Sequence, residues 1–388
     1  MSSLRRQKVR MGMVGGGEGA FIGEVHRKAA SLDGQIELVG GAFSRDSENN
    51  QRTAQQLGIL PERCYDSWQT LLATEQALLP EERIEFLAIV TPNHLHVPVA
   101  RAAVEAGFAV FCEKPAGVSL KEVQALASTL RTRNALYGLA HTYLGYPMVW
   151  QARHMVKTGA LGKLRKIYVE YPQGWLANDL AGAGNKQAQW RGMPAQAGPS
   201  GCMGDIGVHA FNLAEFVSDQ KIDRICAHLA IHIDQRQLDD DGAVLFQTEQ
   251  GASGVLIASQ VCVGEENALK LRLYGDKGGL EWRQEEPNSL VFRPLAQPLQ
   301  ILRAGVGQPW LCDEACQRIR LPAGHPEGYL EAMANLYTGF AEAVRSGKKN
   351  TTSVPGIEAG VRGMAFIEAV LASHYTSEKW TPLVCEEK

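Results

Sequence analysis

The chain has 388 residues, 45% of them hydrophobic and 21% charged, with a formal net charge of −3. That is the make-up of a soluble globular protein too long for one ordinary core, and it gives no basic field for nucleic acid. No run reaches membrane-spanning length. The eight cysteines are scattered, and Cys312 and Cys316, the only close pair, have no second Cys/His pair at metal spacing. Reduced thiols in a cytoplasmic protein, with no bound metal, are the expectation.

Arg5-Arg6 could open an export signal, but Val9–Val14 followed by glycines reads better as a first strand. From there to about residue 142, short apolar runs alternate with amphipathic segments. Strands are expected at Val9–Val14, Ile36–Phe43, Ile84–Val90, Phe108–Cys112 and Leu136–Ala140. Helices are expected at Phe21–Leu32, Ser47–Leu57, His94–Ala106 and Ser119–Arg131. This alternation predicts a doubly wound, Rossmann-type parallel sheet. The first turn, Gly15-Gly16-Gly17-Glu18-Gly19-Ala20-Phe21-Ile22-Gly23, lies between strand and helix. Backbone N–H groups and a helix N-terminus meet a pyrophosphate in such a place. Its spacing fits G-x-G-x-x-A (Gly15, Gly17, Ala20) or a longer loop ending at Gly23. Gly15, Gly17, Gly19, Ala20, Phe21 and Ile22 are therefore candidate cofactor contacts. After the second strand, Ser44 and Arg45 suit a 2′-phosphate, while Asp46 could reach a ribose. NAD and NADP both stay open. Two further strand tips, Thr91-Pro92-Asn93 with His96 and Glu113-Lys114-Pro115, lie on the carboxyl edge where ligands bind. Lys114 is restricted by the proline that follows, across a bond that can be cis.

The second half has a different texture. A helix is expected at Pro147–Lys157 and a strand at Leu164–Tyr171. Gln173–Ser200 is long, polar and glycine-rich, with Trp175, Trp190 and Arg191 inside it, and reads as a substrate-covering segment. Then comes Gly201-Cys202-Met203-Gly204-Asp205-Ile206-Gly207-Val208-His209. Asp205 and His209 are four apart, which on a helix puts a carboxylate and an imidazole on one face. Strands are expected at Ile225–Ile233, Ala243–Thr248, Gly254–Val261, Leu269–Tyr274 and Gly279–Arg283, forming a large, mostly antiparallel open sheet. Asp239-Asp240-Asp241-Gly242 reads as a hairpin turn. Tyr329–Arg345 and Gly356–Ser373 are amphipathic helices. The expected domains are 1–143, binding NAD(P), and 144–388, an α+β domain for substrate and oligomerisation, with the last helices able to pack back on the first.

The glycine turn followed by His26, Thr91-Pro92-Asn93 with His96, Glu113-Lys114-Pro115, and Asp205 with His209 together resemble the Gfo/Idh/MocA oxidoreductases. His141–Met148 and His325–Tyr329 resemble a subgroup that includes levoglucosan dehydrogenase. The resemblance implies a hydride-transferring enzyme for a secondary alcohol of a sugar, anhydrosugar or cyclic polyol. It assigns Lys114, Asp205 and His209 to catalysis. It also implies a homodimer or homotetramer formed through the C-terminal sheet. The residues read the same way: His209 is a base near neutrality, Lys114 can stabilise a developing alkoxide, and Asp205 accepts from a substrate hydroxyl. Tyr143, Trp175, Trp190, Arg191, Asp205 and His209 are the candidate substrate residues. An NAD-dependent glycosidase working by transient oxidation, and a non-catalytic NAD(P)-binding regulator, are the alternative functions.

Overall fold

A computed structural model of the chain describes residues 7–178 and 186–385. Arg5-Arg6 and residues 179–185 of the expected substrate-covering segment lie outside the described residues. Two compact units are formed. The first takes Met1–Gly117, Lys121–Thr142 and Met333–Gly360, and the second takes Val118–Leu120, Tyr143–Ala332 and Val361–Lys388.

In the first unit the elements run β1 (Val9–Gly15), α1 (Phe21–Leu32), β2 (Ile36–Ala42), α2 (Ser47–Gln56), α3 (Trp68–Ala77), β3 (Phe86–Val90), α4 (His96–Glu105), β4 (Ala109–Cys112), α5 (Leu120–Arg133) and β5 (Tyr137–Leu139). The five strands pair in parallel in the order β2-β1-β3-β4-β5. The sheet is the doubly wound one expected. Its order reverses between β1 and β3, and Gly15 pairs with Val90 at their carboxyl ends. That is the topological switch point, where such sheets bind ligands. Strand β3 is buried along its whole length, which explains its unbroken apolar sequence. Helix α3 was not expected. Its stripe is weak, but Ser67 caps it by accepting from Thr70 N, a signal legible in the sequence.

The second unit begins with α6 (Pro147–Lys157) and β6 (Leu164–Pro172). Two short helices follow, α7 (Lys186–Arg191) and α8 (Pro194–Ala197), then a π-helical turn (Met203–Gly207) that runs into α9 (Val208–Ser218). The segment expected to cover substrate is thus partly helical. After α9 come β7 (Ile222–Ala230), β8 (Asp241–Thr248), β9 (Ser253–Ser259), β10 (Lys270–Gly275), β11 (Gly278–Arg283), β12 (Ser289–Pro294) and β13 (Gln300–Arg303). The chain ends with α10 (Asp313–Cys316), α11 (Tyr329–Arg345), α12 (Ile357–Tyr375) and β14 (Thr381–Pro382). Nine strands form one sheet in the order β13-β12-β11-β10-β6-β9-β8-β7-β14, antiparallel except for β6 with β9. Strand β8 shows the two-faced alternation: Val244 and Phe246 are buried, whereas Leu245 is 47% exposed.

Part of α11 belongs to the first unit's core. Met333, Leu336, Tyr337, Phe340 and Ala341 pack with Met11, Met13, Phe86 and Phe111. The Phe111 and Tyr337 rings lie 4.5 Å apart, and Phe86 and Phe340 meet edge to face at 5.3 Å. Each such fully buried aromatic contributes about 2–3 kcal/mol of transfer free energy. The return of the chain to the first unit is therefore held by packing as well as by polar contacts.

Candidate active site

The glycine turn is shaped by two physical demands. Gly15 and Gly16 have φ of 85° and 75°, the left-handed region that costs glycine nothing. Gly23 is in backbone contact with Gly16, and a Cβ on Gly23 would meet the Gly16 carbonyl oxygen at 2.8 Å. Of the two spacings left open by the sequence, the structure takes the longer one: Gly23, not Ala20, is the close-packed third glycine. Ala20 is the N-cap of α1 and supplies no side-chain hydrogen bond there, while Phe21 is 68% exposed. The Gly17 amide donates to the Phe43 carbonyl at 3.0 Å, tying the turn to the end of β2.

Just beyond β2, the Asp46 side chain accepts from Asn49 N at 2.8 Å and caps α2. Its own amide donates to Ser44 Oγ at 3.1 Å. One oxygen of the carboxylate read as a ribose partner thus caps its own helix, and Arg45 stays exposed. At the switch point the Thr91 hydroxyl is buried with no hydrogen-bond partner among the described residues. A polar group in that state calls for an acceptor or donor from a ligand. Left-handed glycines, backbone-to-backbone packing at Gly23 and the unsatisfied Thr91 hydroxyl all fit a dinucleotide.

The residues around Lys114 are built differently from what the sequence suggests. The Lys114–Pro115 bond is cis. Glu113, expected to contact cofactor, has its carboxylate turned inward. One oxygen accepts from His26 Nε2 at 2.7 Å, and the other accepts from the Lys114 amide at 3.2 Å. Burial works to raise its pKa, but His26, Lys114 and His96 outweigh it, so the carboxyl lies below its ordinary range. The second ring nitrogen of His26 is 2.6 Å from the Tyr337 hydroxyl. His96, also expected at the cofactor, faces two carbonyls instead: Nδ1 is 2.7 Å from Pro115 O and Nε2 is 2.9 Å from Thr91 O. It is 1% exposed, and burial lowers its pKa despite those two acceptors. His96 sits between the two strand-tip loops, within hydrogen-bonding distance of a carbonyl on each, and in its neutral form its single N–H serves one of them at a time. Asn93 is buried in the short 3₁₀ turn that leads into α4.

In the second unit, Asp205 sits on the π-helical turn and His209 in the first turn of α9. The wider π turn alters the simple helical spacing. Asp205 accepts from Gln260 Nε2 at 3.0 Å and from Arg191 Nε at 3.3 Å. The Arg191 guanidinium lies 4.3 Å from the Trp190 ring and 5.9 Å from that of Trp175, so the expected substrate residues form one stack ending on Asp205. His209 is 7% exposed, and its ring meets Tyr143 edge-on at 4.9 Å. Tyr143 and Tyr171 are hydrogen-bonded through their hydroxyls. Asn267 closes that pair, accepting from the Tyr171 hydroxyl at 2.7 Å and donating to the Tyr143 hydroxyl at 3.3 Å. Burial pushes the Tyr171 phenol well up, so it stays a neutral donor.

The acidic run does fall at a hairpin, with Asp239 and Asp240 in the connection between the antiparallel β7 and β8 and Asp241-Gly242 opening β8, but Asp239 does more than turn the chain. It is 8% exposed, and its carboxylate accepts from Ser200 Oγ, Gly201 N and Met203 N, each at 2.8 Å. Asp240 likewise accepts from His232 N at 2.9 Å and from Arg236 Nη1 at 3.0 Å. Asp239 is a clasp on the turn that carries Asp205, whereas Asp240 holds the loop from His232 to Arg236. Gln260, Asn267, Tyr171 and Tyr337 were also missed. Tyr171 stands on β6 and Tyr337 on α11, while Gln260 and Asn267 lie in the connection between β9 and β10, and nothing in their spacing marks them out.

The first unit, with its glycine turn at a switch point, is a dinucleotide-binding half, and the second offers a polar, aromatic-walled carboxylate and imidazole. Together these features define a nicotinamide-linked oxidoreductase. A family model described as an oxidoreductase family with an NAD-binding Rossmann fold matches residues 9–141. The model of the GFO/IDH/MocA C-terminal domain matches residues 149–281. An uncharacterized oxidoreductase, YfiI, of Bacillus subtilis is 32% identical over 381 residues, 96% of each chain. The crystal structure of an inositol dehydrogenase homolog from Azotobacter vinelandii, complexed with NADH and myo-inositol, superposes with a TM-score of 0.89 at 34% identity. That match covers 97% of this chain and 98% of the other. Levoglucosan dehydrogenase of Pseudarthrobacter phenanthrenivorans is 24% identical over 314 residues, 73% of this chain and 76% of its own. The chain belongs to the Gfo/Idh/MocA family and is an NAD-binding oxidoreductase. Among the described residues, no helix is long and apolar enough to cross a membrane.

Proposed function

We propose that the protein oxidises a secondary alcohol of an uncharged polyhydroxylated ring, a cyclic polyol, sugar or anhydrosugar, with NAD. The observation that carries this is the charge balance around Asp205. Its carboxylate is already met by the Arg191 guanidinium and a Gln260 amide. The Tyr171 phenol feels the Asp205 charge, and it is joined by hydrogen bonds to the neutral Tyr143 and Asn267, and through Asn267 to Gln173. Among the described residues, such a wall offers paired donors and acceptors for hydroxyls, and the guanidinium in it, Arg191, is already met by the Asp205 carboxylate. The names of two relatives, one with myo-inositol bound and one acting on levoglucosan, support the same class.

In this reading His209 takes the hydroxyl proton, Lys114 donates a hydrogen bond that stabilises the developing alkoxide, and Asp205 accepts from a neighbouring hydroxyl to fix the ring. The first turn of α1 and the Gly15–Gly17 backbone hold the pyrophosphate, and Thr91 to Asn93 contact the dinucleotide at the switch point. When bound, the nicotinamide accepts the hydride. The open sheet face, with Leu245, Ile257 and Ile301 each more than 40% exposed, supports a homo-oligomer built through that sheet. The test is a panel of cyclic polyols, sugars, anhydrosugars and sugar phosphates, assayed by reduced-nicotinamide absorbance with NAD and with NADP. Turnover confined to phosphorylated or acidic sugars overturns the proposal. Release of an aglycone without net NADH would instead reveal a glycosidase.

A further inference from the structure

Buried polar groups are costly unless paired, and an apolar replacement of similar volume is often as stable or more so. The first unit nonetheless encloses a phenol, two imidazoles and a carboxylate linked by hydrogen bonds to the residues on either side of Lys114. Tyr337 is 1% exposed, His26 0%, His96 1% and Glu113 8%. An ionised carboxylate only accepts, so the His26 proton on Nε2 points at Glu113. The other ring nitrogen, Nδ1, is hydrogen-bonded with the Tyr337 hydroxyl. The remaining Glu113 oxygen accepts from the backbone amide of Lys114. On the other side of Lys114, the Pro115 carbonyl faces His96 Nδ1. The chain Tyr337–His26–Glu113 thus grips the residue before Lys114, and His96 grips the residue after it.

We propose that His26, Tyr337 and His96 are positioning residues for Lys114, acting through the Glu113 carboxylate on one side and the Pro115 carbonyl on the other. The inference rests on the reading of Lys114 as a catalytic group. It gives a physical reason for the histidine that follows the glycine turn: His26 serves the lysine loop, not the pyrophosphate. It also gives a reason for the return of the chain to the first unit, since Tyr337 comes from α11. The groups that face Glu113 are His26 on α1, His96 on α4, Tyr337 on α11, and Cys112, Lys114 and His141 at the ends of β4 and β5. Without His26, burial of Glu113 is less opposed, so its carboxyl pKa rises and its hold on the Lys114 amide weakens as pH falls.

The experiment uses the full chain and the variants His26→Gln, Tyr337→Phe and Lys114→Ala. Tyr337→Phe keeps the ring that packs on Phe111 and removes only the hydroxyl, so it stays informative if His26→Gln folds poorly. Hydrogen exchange of the peptide spanning residues 112–117, measured without cofactor, reports the grip directly. Exchange is expected to rise about tenfold in His26→Gln and a few-fold in Tyr337→Phe. With substrate and cofactor, kcat is expected to fall about 10–100-fold in His26→Gln, the range for lost supporting contacts. The NADH dissociation constant should stay within about twofold of the parent. The acid limb of the kcat profile should move to higher pH in His26→Gln. Parent-like exchange and an unmoved pH profile in both variants overturn the proposal, as does a loss confined to NADH affinity. Full turnover by Lys114→Ala would instead overturn the catalytic reading of Lys114, while the exchange data would still decide whether the clamp holds its backbone.

Discussion

Asp239 gives the sharpest test of how the second unit holds its chemistry. The carboxylate accepts three hydrogen bonds, with Ser200 and Gly201 on one oxygen and Met203 on the other. The Asp239 carbonyl accepts a fourth, from Cys202 N at 2.7 Å. In Asp239→Asn the side-chain oxygen can keep Ser200 and Gly201. The new amide must then face the Met203 N–H, donor against donor. One buried N–H is left unpaired, at a cost of about 1–3 kcal/mol. In Asp239→Ala three donors lose their acceptor. The gross loss is several kcal/mol, reduced because burial already disfavours the charged carboxyl and pushes its pKa up. About 3–6 kcal/mol is a reasonable net figure. The damage falls on Ser200–Met203, immediately before the π turn that presents Asp205 and His209. Local opening should therefore outrun any global change. Hydrogen exchange over residues 200–209 is expected to rise about 5–150-fold in Asp239→Asn, since about 1.4 kcal/mol is tenfold in an opening equilibrium. kcat should fall with it while NADH affinity is kept. Unchanged exchange and unchanged kcat in Asp239→Asn would show that the three contacts do not hold the turn.

Three further outcomes follow from distances and burial. Gly23→Ala places a methyl 2.8 Å from the Gly16 carbonyl oxygen and 2.9 Å from its carbon, so the turn must shift. NADH affinity should drop about tenfold or more in a fluorescence titration, and an unchanged affinity would return the third-glycine role to Ala20. Asp46→Ala removes a helix cap worth about 1 kcal/mol. It should lower the melting temperature and leave the NAD to NADP preference within about twofold. A large swing in that preference would show the carboxylate reaching a ribose. Burial pushes the His141 imidazole down from 6.5 to about 3. Its folded pKa is thus below its unfolded one, and the associated stability is present above about pH 6.5 and lost as pH falls toward the folded value. The slope is about 1.4 kcal/mol per pH unit. Urea midpoints between pH 7 and pH 5 should fall in the parent and fall less in His141→Asn; equal slopes would refute the assignment.

What was legible in the sequence and what was not divides along physical lines. The parallel sheet could be read because β3 is buried on both faces and its sequence is unbrokenly apolar. The glycine turn could be read because its backbone needs glycine. The choice between Ala20 and Gly23 could not, since it depends on which residue meets the Gly16 backbone, a contact between the turn and α1. Lys114, Asp205 and His209 stood out because charged or titratable residues sit beside glycine or proline at strand tips and turns. Their supports did not stand out. Tyr337 is 311 residues from the histidine it touches, and in sequence it is one more aromatic on an apolar helix stripe. Asp239 looked like a turn residue because Asp-Asp-Asp-Gly is good turn chemistry. Only the fold reveals that the first aspartate is enclosed by the backbone of another segment.

The two units treat their key carboxylates in opposite ways, and the difference bears on what each can change. Glu113 is enclosed, and burial alone would protonate it. It stays ionised because fixed donors on α1 and on its own strand outweigh that penalty. Altering any one partner leaves a buried polar group unmatched, so the arrangement is all or nothing. Asp205 is 20% exposed at its side chain. Its partners come from a short helix and from the residue that follows β9, and either can be replaced while water satisfies the remainder. Chemistry that must be constant is thus placed where substitution is expensive. Recognition, which differs between dehydrogenases of one family, is placed where substitution is cheap. On that argument, and under the proposed function, Arg191 and Gln260, more than His209 or Lys114, are the positions where substitution is expected to change which ring is turned over.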